Sequence, residues 1–235
     1  MPCPSVVKIS ASCAFLIATS ALAEDSAPPL AVEESWQFAA VRDGVSVWFR
    51  RFGASSVNEV RGEAVYDVSA VALFAVLGDI ESYAEFMPPT SVSRKLSADG
   101  SGKSYYIEID PPVVSRRYYC MDVNLTHPRS DVFISEWKMW TAGCMPRKSS
   151  LVPMRDNHGR WRLSALSPTK TRVEFQAHMD PGGQIPTWMV NRATLSQITD
   201  TFGSLKRAAM LPRYASATAP EPQSDLTRAA ATSKN

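Results

Sequence analysis

The sequence between residues 91 and 178 is a succession of short segments in which apolar and polar residues alternate. Polar turns, or turns that contain Gly or Pro, separate six such segments, and each has the pattern of a β-strand. The six segments are Ser91–Leu96, Ser104–Ile109, Arg116–Leu125, Val132–Trp140, Arg160–Leu166 and Thr171–His178. Because neighbours follow one another at hairpin spacing, they predict an antiparallel sheet.

A single long amphipathic helix is predicted after this series, over Pro186–Met210. Its apolar residues recur at helical spacing and form one continuous stripe, and Pro212 ends the helix. The stripe consists of Trp188, Leu195, Ile198, Phe202, Leu205 and Ala209. Two interpretations are open: the stripe is ordinary core, or it roofs a cavity.

Three more strands and two helices are predicted before residue 91. Asp43-Gly44 has the sequence of a tight hairpin turn, and Ser69 is a candidate helix N-cap. The strands are Trp36–Val41, Val45–Phe49 and Asn58–Tyr66, and the helices run from the Ser69 cap to Gly78 and over Ile80–Phe86. The complete pattern predicts an α+β domain in which a curved antiparallel sheet wraps the final helix. Such an arrangement readily leaves an apolar cavity for a small molecule.

Both ends of the chain differ in composition from its middle. In residues 1–23, Lys8 is the only charged side chain, and Ala21-Leu22-Ala23 has the small residues that signal peptidase accepts. We therefore predict a signal peptide over 1–23 and a periplasmic or secreted protein. A membrane anchor is disfavoured, because about 15 apolar residues fall short of the roughly 20 that span a bilayer. Residues 24–35 are predicted to be a flexible lead-in, 36–210 the domain and 211–235 a disordered tail.

Overall charge and sequence motifs exclude several classes of function. With 25 basic and 23 acidic residues the formal charge is only +2, which argues against nucleic acid as the main partner. The sequence contains no GxSxG, HExxH or Walker motif and no GxGxxG after a strand. His127, His158 and His178 are scattered without ligand spacing, so we expect no metal site.

Removal of the signal peptide leaves two cysteines, Cys120 and Cys144. In an oxidising compartment they predict one disulfide. Two separate thiols remain the alternative, because folding Tyr118–Leu125 back on Val132–Trp140 places Cys120 opposite about Trp137.

Charged residues on two adjacent predicted strands are candidates for a polar site. Glu108 lies before the Pro111-Pro112 turn and Arg116 and Arg117 lie after it, so a carboxylate–guanidinium pair is sterically possible. A pair buried in a cavity wall would need compensation, which a ligand head group can provide. The alternative is an ion pair on the surface. Acid–base chemistry by Glu108 with Asp110, or by His178, is less favoured than a structural role.

The segment from Asp180 to Asn191, Asp-Pro-Gly-Gly-Gln-Ile-Pro-Thr-Trp-Met-Val-Asn, closely resembles the entry to the last helix of START lipid-transfer domains. Further matches in the same order are Asp43-Gly44-Val45, Tyr83 with Met87-Pro88, Pro112-Val-Val-Ser-Arg-Arg117-Tyr-Tyr, Gly159-Arg-Trp-Arg-Leu163 and Lys170-Thr-Arg-Val173. Together they cover about residues 36 to 210. The sequence departs from the family at Tyr118, where an acidic residue is common, so a salt bridge there is not carried over.

The resemblance implies a helix-grip fold with a lipid-sized apolar cavity under the C-terminal helix, and no cofactor. It predicts binding and transfer, or sensing, of a lipid (phospholipid, fatty acid or polycyclic triterpenoid) with transient contact to a membrane surface. Together with the strand and helix positions, it predicts ligand contacts by Glu108, Arg117, Trp188, Asn191, Leu195, Ile198, Phe202 and Leu205. A cyclase or dehydratase acting on a cyclic apolar substrate, and a peptide-binding module, are the alternatives.

The predicted signal peptide can be tested directly. Because signal peptidase cleaves after small residues at −3 and −1, we expect the exported protein to begin at Glu24. Intact-mass analysis of protein from the periplasmic fraction should show the loss of residues 1–23. A mass that retains those residues would contradict the prediction.

Overall fold

The computed structural model describes Met1 and residues 35–96, 103–111, 114–146 and 148–221. Apart from Met1 and Ser35, the predicted signal peptide and lead-in lie outside these residues. All the helices and strands described below belong to one compact unit.

Ten strands form one curved sheet that does not close into a barrel. They are β1 (Gln37–Arg42), β2 (Val45–Phe52), β3 (Ser55–Tyr66), β4 (Thr90–Lys95), β5 (Ser104–Ile109), β6 (Arg117–Arg129), β7 (Val132–Trp140), β8 (Val152–Pro153), β9 (Asp156–Ser167) and β10 (Lys170–Asp180). Their order is β1-β2-β3-β10-β9-β7-β6-β5-β4, antiparallel throughout, and the short β8 pairs with β6 in parallel. The predicted antiparallel sheet is thus confirmed, while β8 was not predicted.

In the part of the chain that the structure describes, four α-helices accompany the sheet: α1 (Ala70–Gly78), α2 (Tyr83–Phe86), α3 (Thr187–Ala209) and α4 (Pro212–Ala215), with a 3₁₀ turn at Ile80–Ser82. The Ser69 side chain caps α1 by accepting a hydrogen bond from the Ala72 amide at 3.2 Å, as predicted. None of the helices described is both long enough and apolar enough to cross a bilayer.

The Asp43-Gly44 turn determines the geometry of the first hairpin, between β1 and β2. Asp43 and Gly44 both have positive φ angles, 53° and 76°, which matches the tight turn expected from Asp-Gly. The pairing of β3 with β10 then joins this hairpin to the antiparallel run of β4 to β10. The α+β fold class, a curved antiparallel sheet around a long C-terminal helix, is therefore confirmed.

The C-terminal half of α3 forms the centre of the core. All buried residues of this helix lie at position 198 or beyond, and Phe202 and Leu205 are completely buried. Phe202 packs closely against β3 because Gly62 has no side chain there: a Cβ at position 62 would lie 2.7 Å from Phe202 Cε2. The N-terminal half of α3 has no fully buried residue and does not pack in this way.

The tail predicted to be disordered from residue 211 is ordered as far as the description extends, to residue 221. Helix α4 follows α3 directly, and Tyr214 is 4% exposed. Its hydroxyl donates a hydrogen bond to Asp79 Oδ2 at 2.7 Å. The prediction was wrong for 211–221 because it rested on a composition rich in Ala, Ser and Pro. That composition gives no sign that the side chain of Tyr214 is buried.

Cys120 and Cys144 are joined by a disulfide with a Cα–Cα distance of 5.8 Å. Cys120 pairs across the sheet with Trp140, not with Trp137 as the sequence indicated. The difference arises because β6 continues to Arg129 and the β6–β7 register shifts between Thr126 and Arg129. The chain after Trp140 then turns back and brings Cys144 to Cys120.

The close contact between Gly62 and Phe202 predicts a sensitive position. Gly62→Ala should destabilise the protein by about 1–3 kcal/mol, because the added methyl must displace a ring in a packed core. Gly203→Ala in α3 is the matched control: its methyl meets only the flexible end of Arg207, and the helix should gain about 0.5–1 kcal/mol. Urea unfolding of both variants measures the difference. Equal stabilities for both would contradict the packing described here.

Candidate ligand-binding cavity

A cavity of about 420 Å³ lies between the N-terminal half of α3 and the concave face of the sheet. Strands β5, β6, β7, β9 and β10 supply its walls, and the segment Met87–Thr90 closes one side. The apolar wall residues on the strands are Ile109, Met121, Val123, Trp137, Trp161, Phe175 and Met179. The cavity exists because the core packing of α3 begins only at Ile198.

The polar groups deep in the wall are neutral. Trp137 Nε1 donates a hydrogen bond to Asn157 Oδ1 at 2.9 Å, and the Tyr83 hydroxyl donates to the Leu77 carbonyl at 3.0 Å. Burial raises the pKa of Tyr83 and of Tyr119, so both phenols stay protonated at neutral pH. These groups can hydrogen-bond a hydroxyl or a carbonyl, but they bring no charge to bind an ionic head group.

The cavity reaches the surface between α3 and the Met87–Thr90 segment. Four of its lining residues, Pro88, Ala193, Ser196 and Asp200, are exposed. Among the lining residues that the structure describes, Asp200 alone carries a formal charge, and it lies at this opening. A ligand would therefore enter beside α3, with its apolar part toward Trp137.

Of the predicted ligand contacts on α3, only Ile198 lines the cavity. Phe202 and Leu205 are core, and Leu195 packs against the same core. Trp188 is 65% exposed, and Asn191 Oδ1 accepts a hydrogen bond from the Asn58 amide at 3.2 Å. Apart from the exposed Trp188 and the cavity-lining Ile198, the stripe packs in the hydrophobic core, which is the first of the two interpretations that the sequence left open. The helix instead presents Met189, Val190, Ala193, Thr194, Gln197, Ile198 and Thr201 to the cavity.

Neither Glu108 nor Arg117 lines the cavity, although Arg117 lies on the concave face of the sheet with the cavity-lining Ile109 and Tyr119. Glu108 pairs with Tyr118 and Arg117 with Ile109, so the two charged residues lie on opposite faces of the sheet. Glu108 is buried on the outer face, where the Tyr106 hydroxyl donates to Oε1 at 3.2 Å. Arg116 instead forms a surface ion pair with Asp110, at 2.7 Å, which was not predicted.

Arg117 binds the segment that leads into α3. Its guanidinium donates hydrogen bonds to the carbonyls of Pro181 (3.3 Å) and Ser115, and burial lowers the pKa of Arg117. The side chain would also lie 3.4 Å from a Cβ at Gly183. Two segments that carry the family resemblance in the sequence therefore meet in space, and Arg117 holds the start of α3 beside the cavity.

The sequence did contain a signal for the strand residues that form the wall. Met121, Val123, Trp137, Trp161 and Phe175 are alternate residues of strands that were correctly predicted. Strand alternation places each set on one face, so the concave face could have been assigned once the sheet was assumed to wrap the helix. The neutral Ser135 and Asn157 follow the same alternation.

An open antiparallel sheet curved around a long C-terminal helix, with an apolar cavity between them, defines a helix-grip domain of the START type. Similar solved structures include a STAR-related lipid transfer protein from Xanthomonas axonopodis, with a TM-score of 0.65 and 23% identity over 75% of this chain and 99% of that one. Human StAR-related lipid transfer protein 5 gives a TM-score of 0.64 at 18% identity, over 74% and 86% of the two chains.

Sequence comparison identifies the family. The model described as polyketide cyclase/dehydrase and lipid transport matches residues 66–198, and the chain belongs to this family. A relative from Pseudomonas aeruginosa, an uncharacterised protein, is 24% identical over 202 residues, which are 86% of this chain and 95% of the relative. Family and fold together make this a START-like domain of a lipid-binding family that also includes cyclases and dehydrases.

The buried Ser135 offers a test of the cavity. It is 3% exposed and lies in the wall on β7, so Ser135→Leu should fill part of the cavity. We expect binding of Nile red, a neutral fluorescent probe, to weaken by about tenfold, because a ligand must now displace packed carbon atoms. Fluorescence titration measures the affinity.

Ser164→Leu is the matched control. Ser164 lies on the neighbouring strand β9, where it alternates with the buried Leu163 and therefore points to the outer face. Nile red affinity should be unchanged in this variant. The same affinity for both variants would show that the probe binds elsewhere.

Proposed function

We propose that this protein is an exported, non-catalytic carrier that encloses a lipid in its cavity, either for transfer between membranes or for sensing. The apolar cavity of about 420 Å³ beneath α3 is the observation that carries the proposal. Membership of a family that includes lipid-transport proteins supports it.

The cavity favours one class of lipid. Its volume lies in the lower half of the range of about 300–1,000 Å³ typical of sites for one small ligand. Its deep polar groups, Asn157, Ser135 and two phenols, are neutral. A single-chain or polycyclic lipid with a hydroxyl or carbonyl group therefore fits better than a complete diacyl phospholipid with an anionic head group.

Burial of apolar surface supplies the binding free energy. Each methylene that leaves water contributes about 0.8 kcal/mol. A chain of about 16 methylenes is then worth on the order of 10 kcal/mol before the entropic costs of binding are subtracted. Partial enclosure is therefore sufficient for useful affinity, and no ionic contact is required.

Export is part of the proposal. Residues 1–23 have the pattern of a signal peptide, and the Cys120–Cys144 disulfide is typical of a protein that folds in an oxidising compartment. Both features support a periplasmic or secreted carrier.

An exposed tryptophan near the start of α3 is also suited to brief contact with a membrane. Trp188, 65% exposed in the first turn of α3, lies between the cavity-lining Ile185 and Met189. Tryptophan is enriched at membrane interfaces, where its ring is apolar and its N–H remains hydrated. Lipid could thus pass between bilayer and cavity without crossing bulk water.

The test uses native mass spectrometry followed by vesicle transfer. We expect the full chain purified from bacteria to retain a neutral lipid, and the Ser135→Leu variant to lose it. Protein with no bound lipid, and no uptake from vesicles that contain single-chain and polycyclic lipids, would refute carriage. Chemical conversion of a cyclic substrate would instead favour the cyclase alternative.

Trp188→Ala should slow transfer of the retained lipid between vesicles several-fold, because the protein loses its interfacial anchor, and should leave the binding affinity unchanged. Phe38→Ala is the matched control: Phe38 is 61% exposed on β1 and does not line the cavity. Equal transfer rates for both variants would mean that membrane contact occurs elsewhere on the protein.

A further inference from the structure

Three side chains on the outer face of the β9–β10 hairpin converge on one point: Asp156, His158 and His178, here called the Asp156 cluster. His158 and His178 are directly paired across the two strands, and Asp156 is two residues before His158. Asn157 and Met179, which alternate with them, line the cavity on the opposite face. The cluster is therefore separate from the lipid site.

The spacing of the three side chains is compatible with a set of metal ligands. One carboxylate oxygen of Asp156 lies 3.1 Å from His158 Nδ1, and the other lies 2.7 Å from His178 Nδ1. One potential ligand atom from each of the three residues lies within 4.8 Å of the other two. Because zinc binds nitrogen and oxygen at about 2.0–2.2 Å, small side-chain rotations suffice for all three to reach one ion.

Ser55 allows His178 to adopt the tautomer that a metal requires. His178 Nε2 lies 3.1 Å from Ser55 Oγ, and a hydroxyl can either donate or accept. When Nδ1 is free to bind a metal, Nε2–H can donate to Ser55, which is the outer-shell contact typical of metal-binding histidines.

The surroundings hold the rings in place and leave one side open. Phe52 stacks on His178 with ring centroids 4.2 Å apart and lies 5.3 Å from His158. The His178 side chain is 3% exposed, whereas the Asp156 and His158 side chains are each 34% exposed. An ion could therefore reach the cluster from solvent and complete its coordination with water.

We propose that the Asp156 cluster binds one divalent transition-metal ion, with zinc the best match to two imidazoles and a carboxylate. Its ligands are the Nδ1 atoms of His158 and His178 and a carboxylate oxygen of Asp156. A bound ion would join the start of β9 to the end of β10.

A hydrolytic role for the same residues is less well supported. Ser55, His178 and Asp156 do form a hydrogen-bonded chain in the order of a hydrolase triad. However, Ser55 Oγ also accepts a hydrogen bond from the Val57 amide at 3.1 Å, and Ser55 does not line the lipid-sized cavity. The triad would also leave unexplained why His158 converges on the same carboxylate.

The expectation that there is no metal site rested on the spacing of the histidines along the sequence and did not take strand pairing into account. His158 and His178 are far apart in sequence but equidistant from Pro168 in the β9–β10 turn, and residues placed in this way face each other in a hairpin. That symmetry, with Asp156 on the same face, is visible in the sequence once the hairpin is assumed.

The test is isothermal titration calorimetry. Zinc chloride is titrated into the full chain after a chelator has removed any bound metal. We expect one ion per chain. His158→Ala and Asp156→Asn should each weaken binding by more than about 100-fold, and Ser55→Ala by about tenfold, as for an outer-shell partner. Asp110→Asn removes an exposed, ion-paired carboxylate outside the cluster and should bind as the wild type does.

Nitrogen NMR of the histidine rings identifies the ligands independently. Zinc should shift Nδ1 of His158 and of His178 and leave His127 unaffected. His158 is partly exposed, so its alanine variant should remain folded even if Asp156→Asn does not, and circular dichroism checks this. No zinc binding at millimolar concentration, equal affinity in His158→Ala, or a shift confined to His127 would each overturn the proposal.

Discussion

The contact of Phe202 with Gly62 determines where the cavity can form. Because β3 has no side chain at that point, Phe202 lies directly on the sheet, and all the buried residues of α3 are at position 198 or beyond. The other half of the helix has no fully buried residue, and the space between it and the sheet is lined by strand side chains. The cavity therefore results from uneven packing along one helix, and Gly62 contributes to this by allowing Phe202 to approach β3.

The architecture was predictable from the sequence, but most of the site was not. Hairpin spacing and one long helical stripe define the sheet and helix, since both depend on local periodicity. The residues that α3 contributes to the cavity wall depend on how the helix is rotated about its own axis. The apolar stripe marks a different face of the helix, because Ile198 is its only member that lines the cavity. Glu108 was misplaced for a related reason, because its face relative to Arg117 depends on the β5–β6 register, which sequence spacing did not fix.

The β9–β10 hairpin carries two separate sets of functional candidates. Alternate residues point to opposite faces of a strand, so Asn157 and Met179 contribute to the lipid cavity while His158 and His178 contribute to the Asp156 cluster. The same hairpin continues through Asp180 into the segment that Arg117 binds. The end of β10 thus lies beside the start of α3, the cavity and the Asp156 cluster.

Helix α3 is held firmly at its C-terminal end and by fewer contacts at its N-terminal end. Its C-terminal end is fixed by the buried core and by α4, whose Tyr214 is bonded to Asp79, while Asn191 holds the other end through a hydrogen bond to the Asn58 amide. The part of the helix that precedes the core, from Thr187 to Ile198, is about 17 Å long at 1.5 Å per residue. A bend of about 10° at Ile198 would lift the first turn by roughly 3 Å, which widens the opening without disturbing the core.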